Sequence, residues 1–409
     1  SLPRTDETAM YRALADHLSG QSNSHRRAPF AGMAFSIVML AGCGGDPAAS
    51  GPQDDQPQGE QDSSALRAVV AAVTESAPQL ATDPANETPD ERFAESRFNR
   101  SEDQFITADR PQFVAADEAE FLDDEEEVLG FVIDGQPRAY SIRALSYHHA
   151  INDQVGETPL LVTYCVICSS GVGLDPRWEG RRLEFGFHGI WQGTAVLYDR
   201  KTRSHWLHVT GECVEGDLQG AKLKRISGRH VLWREWRRDH PNTQVMAEDP
   251  KFADEYFPAQ NARRGRYFFP SGFLSTIQSR DDRLELHALV YGVTHGGKQK
   301  AYPIDALANG DGWTQDTVGD QPIVVIADEL TRSAAGFVRR LEGRTIDIEK
   351  GEDGQLRDGA TKSRLNAAGY FIDGPLQGSR LPLVDGLQAE WYGWYAIYPT
   401  TDLYEAPDK

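Results

Sequence analysis

The feature that most constrains this chain is that it repeats itself. Residues 127–145, EVLGFVIDGQPRAYSIRAL, return as residues 288–307, ALVYGVTHGGKQKAYPIDAL. VGETPLLVTY from Val155 returns as VGDQPIVVIA from Val318, and EGRRLEF from Glu179 as EGRTIDI from Glu342. GDLQGAKL from Gly216 pairs with GPLQGSRL from Gly374, and Trp233, Trp236, Pro241 and Thr243 pair in order with Trp391, Trp394, Pro399 and Thr401. A sequence repeated over this length encodes one structural unit built twice. The expected organisation is a first lobe over 92–248, a connector rich in Arg and aromatic residues over 249–280, and a second lobe over 281–409.

Within each copy the pattern is mainly that of strands. Two apolar runs flank Asp134-Gly135, the signature of a β-hairpin. A short helix is expected over 143–152, a fully buried strand over 160–164, and further strands over 183–187 and 194–198. A helix over 231–239 carries Trp233 and Trp236 on one face and stops before Pro241. The fold class is therefore α+β, two duplicated lobes dominated by antiparallel sheet with short helices. The Gly, Trp, Pro and Thr residues that the copies share are what a scaffold needs for turns and core area.

The N-terminal region reads as an address. Arg26-Arg27 precede an apolar run over 30–40 that ends Leu40-Ala41-Gly42-Cys43, the layout of a bacterial lipoprotein signal. On this reading Cys43 is lipidated and the protein is held by its acyl chains on a membrane, outside the cytoplasm. Residues 44–91, rich in Asp, Gln, Pro, Gly and Ser, are expected to be a flexible stalk. With 42 Lys and Arg against 62 Asp and Glu, the net charge is −20, which argues against nucleic acid as a partner.

The copies differ where chemistry would sit. Cys165 and Cys168 form a Cys-x-x-Cys at the end of the buried strand, and their counterparts are Asp328 and Thr331. His148-His149 align with Asp311-Gly312, and His188, His205 and His208 have no histidine counterparts. Of the two copies, only the first holds cysteines, and these histidines are absent from the matching positions of the second. Two cysteines on one turn can aim thiolates at a single ion, and an imidazole from the preceding helix would add a third donor. Such a set favours copper or zinc over magnesium or calcium. Two other readings stay open: a thiol–disulfide pair, with Cys165 attacking and Cys168 resolving, and a disulfide that only staples the turn. A redox or metal-delivery partner follows from the first two. Ser169 and Ser170 lie in no nucleophile elbow, and no phosphate-binding glycine loop is present.

The stretches VLGFVIDGQPRAYSIRAL, HAIND, VTYCVICSSGVGLD, LYDRKTRSHW, TGE and GDLQGAKL, with YGVTHGGKQKAYPIDAL and the Trp-x-x-Trp helix of the second copy, resemble the bacterial family known as domain of unknown function 3179. The resemblance spans roughly residues 105 to 404 and implies a secreted or lipid-anchored protein with no established activity. Its motif positions fall on Cys165, Cys168, His149, Asp199, Thr202, Ser204 and Trp206. The expected metal ligands are Cys165, Cys168 and His149, with Asp199, Thr202, Ser204, Trp206, Cys213 and His188 as supporting candidates. Val166 stands where the family usually has Pro, Ser141 replaces the Pro of Ala-Tyr-Pro, and Cys213 replaces an Ala.

Overall fold

A computed structural model describes residues 87–100, 105–256, 276–328 and 332–406. The signal region, Cys43, most of the stalk, Thr331 and residues 257–275 of the connector lie outside the described residues.

In the first copy β1 (Glu127–Ile133) and β2 (Gln136–Ser141) form the hairpin expected around Asp134-Gly135, which take φ of 49° and 76°. Both angles are positive, as a type I′ turn requires. The helix α1 (Ile142–His148) starts at Ser141, whose hydroxyl accepts from the Ala144 N–H. It ends four residues earlier than expected. His149 turns to φ 58°, and Ala150–Val155 enter β3 instead. Tertiary pairing decides this boundary: Ala150 through Val155 lie opposite Thr158–Thr163 of β4 (Thr158–Cys165), and Ile151 and Val155 are fully buried. After β4 come β5 (Ser170–Asp175), β6 (Phe185–Trp191), β7 (Thr194–Asp199), β8 (His205–Leu207), β9 (Lys224–Ile226), β10 (Arg229–Leu232), α2 (Trp233–Asp239) and β11 (Gln244–Met246).

The second copy repeats the plan with β12 (Leu289–His295), β13 (Lys298–Pro303), α3 (Ile304–Asn309), β14 (Trp313–Val318), β15 (Gln321–Asp328), β16 (Ser333–Val338), β17 (Gly386–Glu390), α4 (Trp391–Ile397) and β18 (Asp402–Leu403). Sheet order β10-β1-β2-β11 matches β17-β12-β13-β18, down to the parallel pairings β2–β11 and β13–β18. Side chains repeat as well. The Tyr140 hydroxyl donates to Asp153 (2.6 Å) and that of Tyr302 to Asp316 (2.9 Å). Trp236 Nε1 donates to Thr243 Oγ1 (2.9 Å) and Trp394 Nε1 to Thr401 Oγ1 (3.0 Å). Gly130 lies under Trp236 and Gly292 under Trp394, where a Cβ would meet the indoles at 2.4 and 2.2 Å. Those two glycines are glycine because the Trp helix lies on bare backbone.

One apolar core crosses from copy to copy, containing Leu161, Val172, Trp191 and Trp206 together with Val290, Leu387, Trp391 and Trp394. The start of the folded part also differs from expectation. Glu87, within the expected stalk, is tied to the fold: its carboxylate is buried against the Arg97 guanidinium. A buried cation needs such a partner.

Candidate metal centre

Strand β4 is buried along nearly its whole length and delivers Cys165 to its end. Residues 166–169 then turn, with Ser169 at φ 52°, and Ser170 of β5 pairs back across from Cys165. The turn brings Cys168 beneath the strand end. From the neighbouring sheet His208, one residue beyond β8, is held by its N–H to Ala195 O (3.2 Å). One ligand atom from each of Cys165, Cys168 and His208 falls within 4.8 Å of the others, and all three residues are buried. The cysteines are free thiols.

The surrounding bonds fix these groups. His208 Nδ1 lies 3.2 Å from Thr163 Oγ1, which shares a strand face with Cys165. His208 Nε2 lies 3.0 Å from Ser170 Oγ, itself 3.0 Å from Cys168 Sγ. Burial, aided by the neighbouring His149, pushes the His208 pKa down to about 3, so its imidazole is neutral and has a lone pair to offer. Burial raises the pKa of Cys165, but the Cys168 thiol and the N–H groups of Cys168, Ala195 and Ile167 outweigh it and hold the pKa below the usual thiol value. Cys168 moves the other way, raised by burial and by the adjacent Cys165 sulfur.

The second copy closes this site. Its helix α4 lies over the turn, with the Glu390 N–H donating to Cys168 O (2.9 Å). Gly393 faces Cys168, and a Cβ there would sit 3.1 Å from Cys168 Cβ and 3.3 Å from Thr194 Cγ2. Tyr392 packs in the same apolar cluster as the two cysteines, and Glu390, fully buried, pairs with His287 Nδ1 at 2.6 Å. The reciprocal contact exists too. Glu235 of α2 occupies Gly393's place in the repeat and lies against Asp328, the counterpart of Cys165; burial and Asp328 raise its pKa. Each copy therefore brings its Trp helix to the end of the other's buried strand, and the site expected within the first copy is built at the seam of both.

His149 is not one of the three clustered ligands; His208 takes that place. The His149 ring is buried between Phe105 and Phe187 (centroids 4.0 and 5.0 Å), and Phe187 belongs to the apolar cluster of Cys165 and Cys168. Burial, together with His148, pushes its pKa down to about 4. Its Nδ1 is buried without a hydrogen-bond partner, and its backbone at φ 58° matches Gly312 at φ 80° in the other copy. His149 takes this backbone as the C-cap of α1, its N–H donating to Leu145 O.

The supporting candidates lie elsewhere. Asp199 accepts from Thr202 N (2.7 Å), Thr202 Oγ1 (2.6 Å) and Trp206 Nε1 (3.1 Å), and Ser204 Oγ accepts from Leu218 N (3.1 Å). Asp358, Thr361 and Ser363 repeat this knot in the second copy, down to the bond from Leu376 N. A device present in the copy without cysteines is a turn lock. Cys213 is buried with its thiol near Glu215 O (3.4 Å), and burial pushes its pKa up to about 11. His188 stacks on His205 at 3.6 Å, with Arg100 Nη1 2.8 Å from His188 Nε2. His148 is taken up by Ile106 O and the Tyr256 hydroxyl.

No curated protein matches the chain, and no solved structure does. Residues 102–401, which hold both copies, the cysteine turn and His208, match the family described as protein of unknown function DUF3179, and the chain belongs to that family.

Proposed function

We propose that this protein binds one thiophilic transition-metal ion, copper(I) or zinc(II), through Cys165, Cys168 and His208. The supporting observation is the convergence of two free thiols and a neutral imidazole within 4.8 Å in a buried setting. Two sulfurs and one nitrogen match the preferences of both metals. His149, strained and with an unpaired nitrogen, stands beside this set as the residue that completes or exchanges the coordination. The protein acts outside the cytoplasm, held to a membrane through Cys43, and takes its ion from, or gives it to, a partner.

The reading is tested by titrating the reduced full-length chain with Cu(I) and with Zn(II) against a chromophoric chelator. One tight equivalent, lost in Cys165→Ser/Cys168→Ser and weakened in His208→Gln, is expected. Equal uptake by wild type and the double variant would refute it.

One observation favours a second reading. The depressed pKa of Cys165 beside a protonated Cys168 is the asymmetry of a thiol–disulfide exchange pair. No metal uptake, with reversible formation of a 165–168 disulfide, would select it.

A further inference from the structure

Between Pro159 and Tyr164 strand β4 is apolar except at Thr163, which is fully buried. A buried hydroxyl is costly unless it is hydrogen-bonded. In the second copy the same strand position is Ile326, and the segment that matches the surroundings of His208 reads Asn366-Ala367-Ala368. Thr163 and His208 are therefore absent together from the copy without cysteines.

The bonds around these two residues assign every proton. The Thr163 hydroxyl donates its one proton to Val172 O (3.4 Å), so its oxygen is left to accept from His208 Nδ1 at 3.2 Å. His208 is fully buried, and its two ring nitrogens face hydroxyls and no carboxylate, so the imidazole is neutral and carries a single N–H. With that proton on Nδ1, the lone pair stands on Nε2. Ser170 Oγ, 3.0 Å from Nε2, donates to it and accepts from the Cys168 thiol, also at 3.0 Å. Donation runs from Cys168 through Ser170 to Nε2, and from Nδ1 through Thr163 to the β5 backbone. Nε2 is thus the nitrogen linked to the cysteines. In histidine metal sites the hydrogen bond made by one ring nitrogen selects the other as the ligand.

We propose, resting on the metal reading of the Cys165, Cys168 and His208 cluster, that Thr163 is a positioning residue that holds His208 in the Nδ1–H tautomer with Nε2 as the ligand atom, and that the Ser170 hydroxyl occupies the Nε2 lone pair until an ion displaces it. Nitrogen NMR of the histidine-labelled full-length chain, reduced and metal-free, tests the tautomer, and chelator competition with Zn(II) tests its consequence. The His208 resonances should show Nδ1 protonated and Nε2 bare. Thr163→Val should lose that preference and bind Zn(II) about 10–100-fold more weakly, and Thr163→Ser should restore both. Ser170→Ala should bind Zn(II) more tightly, by up to about tenfold, because the ion no longer competes with a hydroxyl. A proton on Nε2 in the wild type would overturn the proposal, as would wild-type tautomer and affinity in Thr163→Val or weakened binding in Ser170→Ala. A wild type with Nδ1 protonated that binds neither Zn(II) nor Cu(I) would uphold the tautomer and refute the metal reading instead.

Discussion

Gly393 offers a sharp test of whether the second copy shapes the cysteine site. Replacing it by alanine places a methyl 3.1 Å from Cys168 Cβ and 3.3 Å from Thr194 Cγ2. Cys168 cannot retreat freely, because its carbonyl is pinned by the Glu390 N–H. For the fold the effects oppose one another. Helix propensity gains about 1 kcal/mol, a buried methyl gains about 0.8 kcal/mol, and overpacking costs about 1–3 kcal/mol. The net lies near zero, so the melting midpoint should move by no more than about 3 °C. The site has less tolerance. Relieving the contact moves Cys168 by a few tenths of an ångström, whereas metal–ligand distances hold to about 0.2 Å. Residues that orient ligands in this way typically control affinity by about 10–100-fold. Chelator competition should therefore show that loss in Gly393→Ala with nearly unchanged melting. Glu235→Ala, at the equivalent place in the other copy, should leave metal affinity alone. Wild-type metal affinity in Gly393→Ala would refute the reasoning.

Other perturbations separate the site from the scaffold. Asp199→Ala strands Trp206 Nε1 and the Thr202 N–H in the core and should cost about 1–3 kcal/mol in chemical denaturation, with metal content intact. Glu87→Ala leaves Arg97 buried without its partner and should cost about 3–5 kcal/mol by the same assay, whereas a true stalk residue would cost nothing. His208 and His149 have pKa values depressed to about 3 and 4. Below about pH 6.5 the unfolded chain takes up protons that the folded histidines refuse, so metal-free stability should fall with pH down to about 3–4, by at most about 1.4 kcal/mol per unit per histidine. Denaturation of the apo chain at stepped pH should show this slope, and His208→Gln should flatten it.

How much of this was legible depended on the range of the contacts involved. The duplication was written in order along the chain, and its Gly–Trp and Trp–Thr pairs act within one copy, as Gly130 under Trp236 shows. The strand carrying Cys165 was visible because β4 is buried on both faces and reads as a continuous apolar run. The helix expected over 143–152 ends at His148 because pairing of β3 with β4 overrides the local pattern. The third ligand was hidden for a related reason. His208 reaches the cysteines only through the packing of β8 and its neighbours against β4, a contact that spacing does not encode. Its one signal was membership of the histidines peculiar to the first copy. The cover supplied by α4 was invisible, since a glycine at 393 means nothing until the helix is laid across the other copy's turn.

On the proposed function, the Cys165, Cys168 and His208 cluster holds a metal ion. The most direct measurement is elemental analysis of the full-length chain purified anaerobically, beside Cys165→Ser/Cys168→Ser and His208→Gln. The expected result is one copper or zinc ion per chain in the wild type, none in the cysteine variant and a reduced content in the histidine variant. A wild-type chain that carries no transition metal, and takes up none when reduced and supplied with Cu(I) or Zn(II), would contradict it.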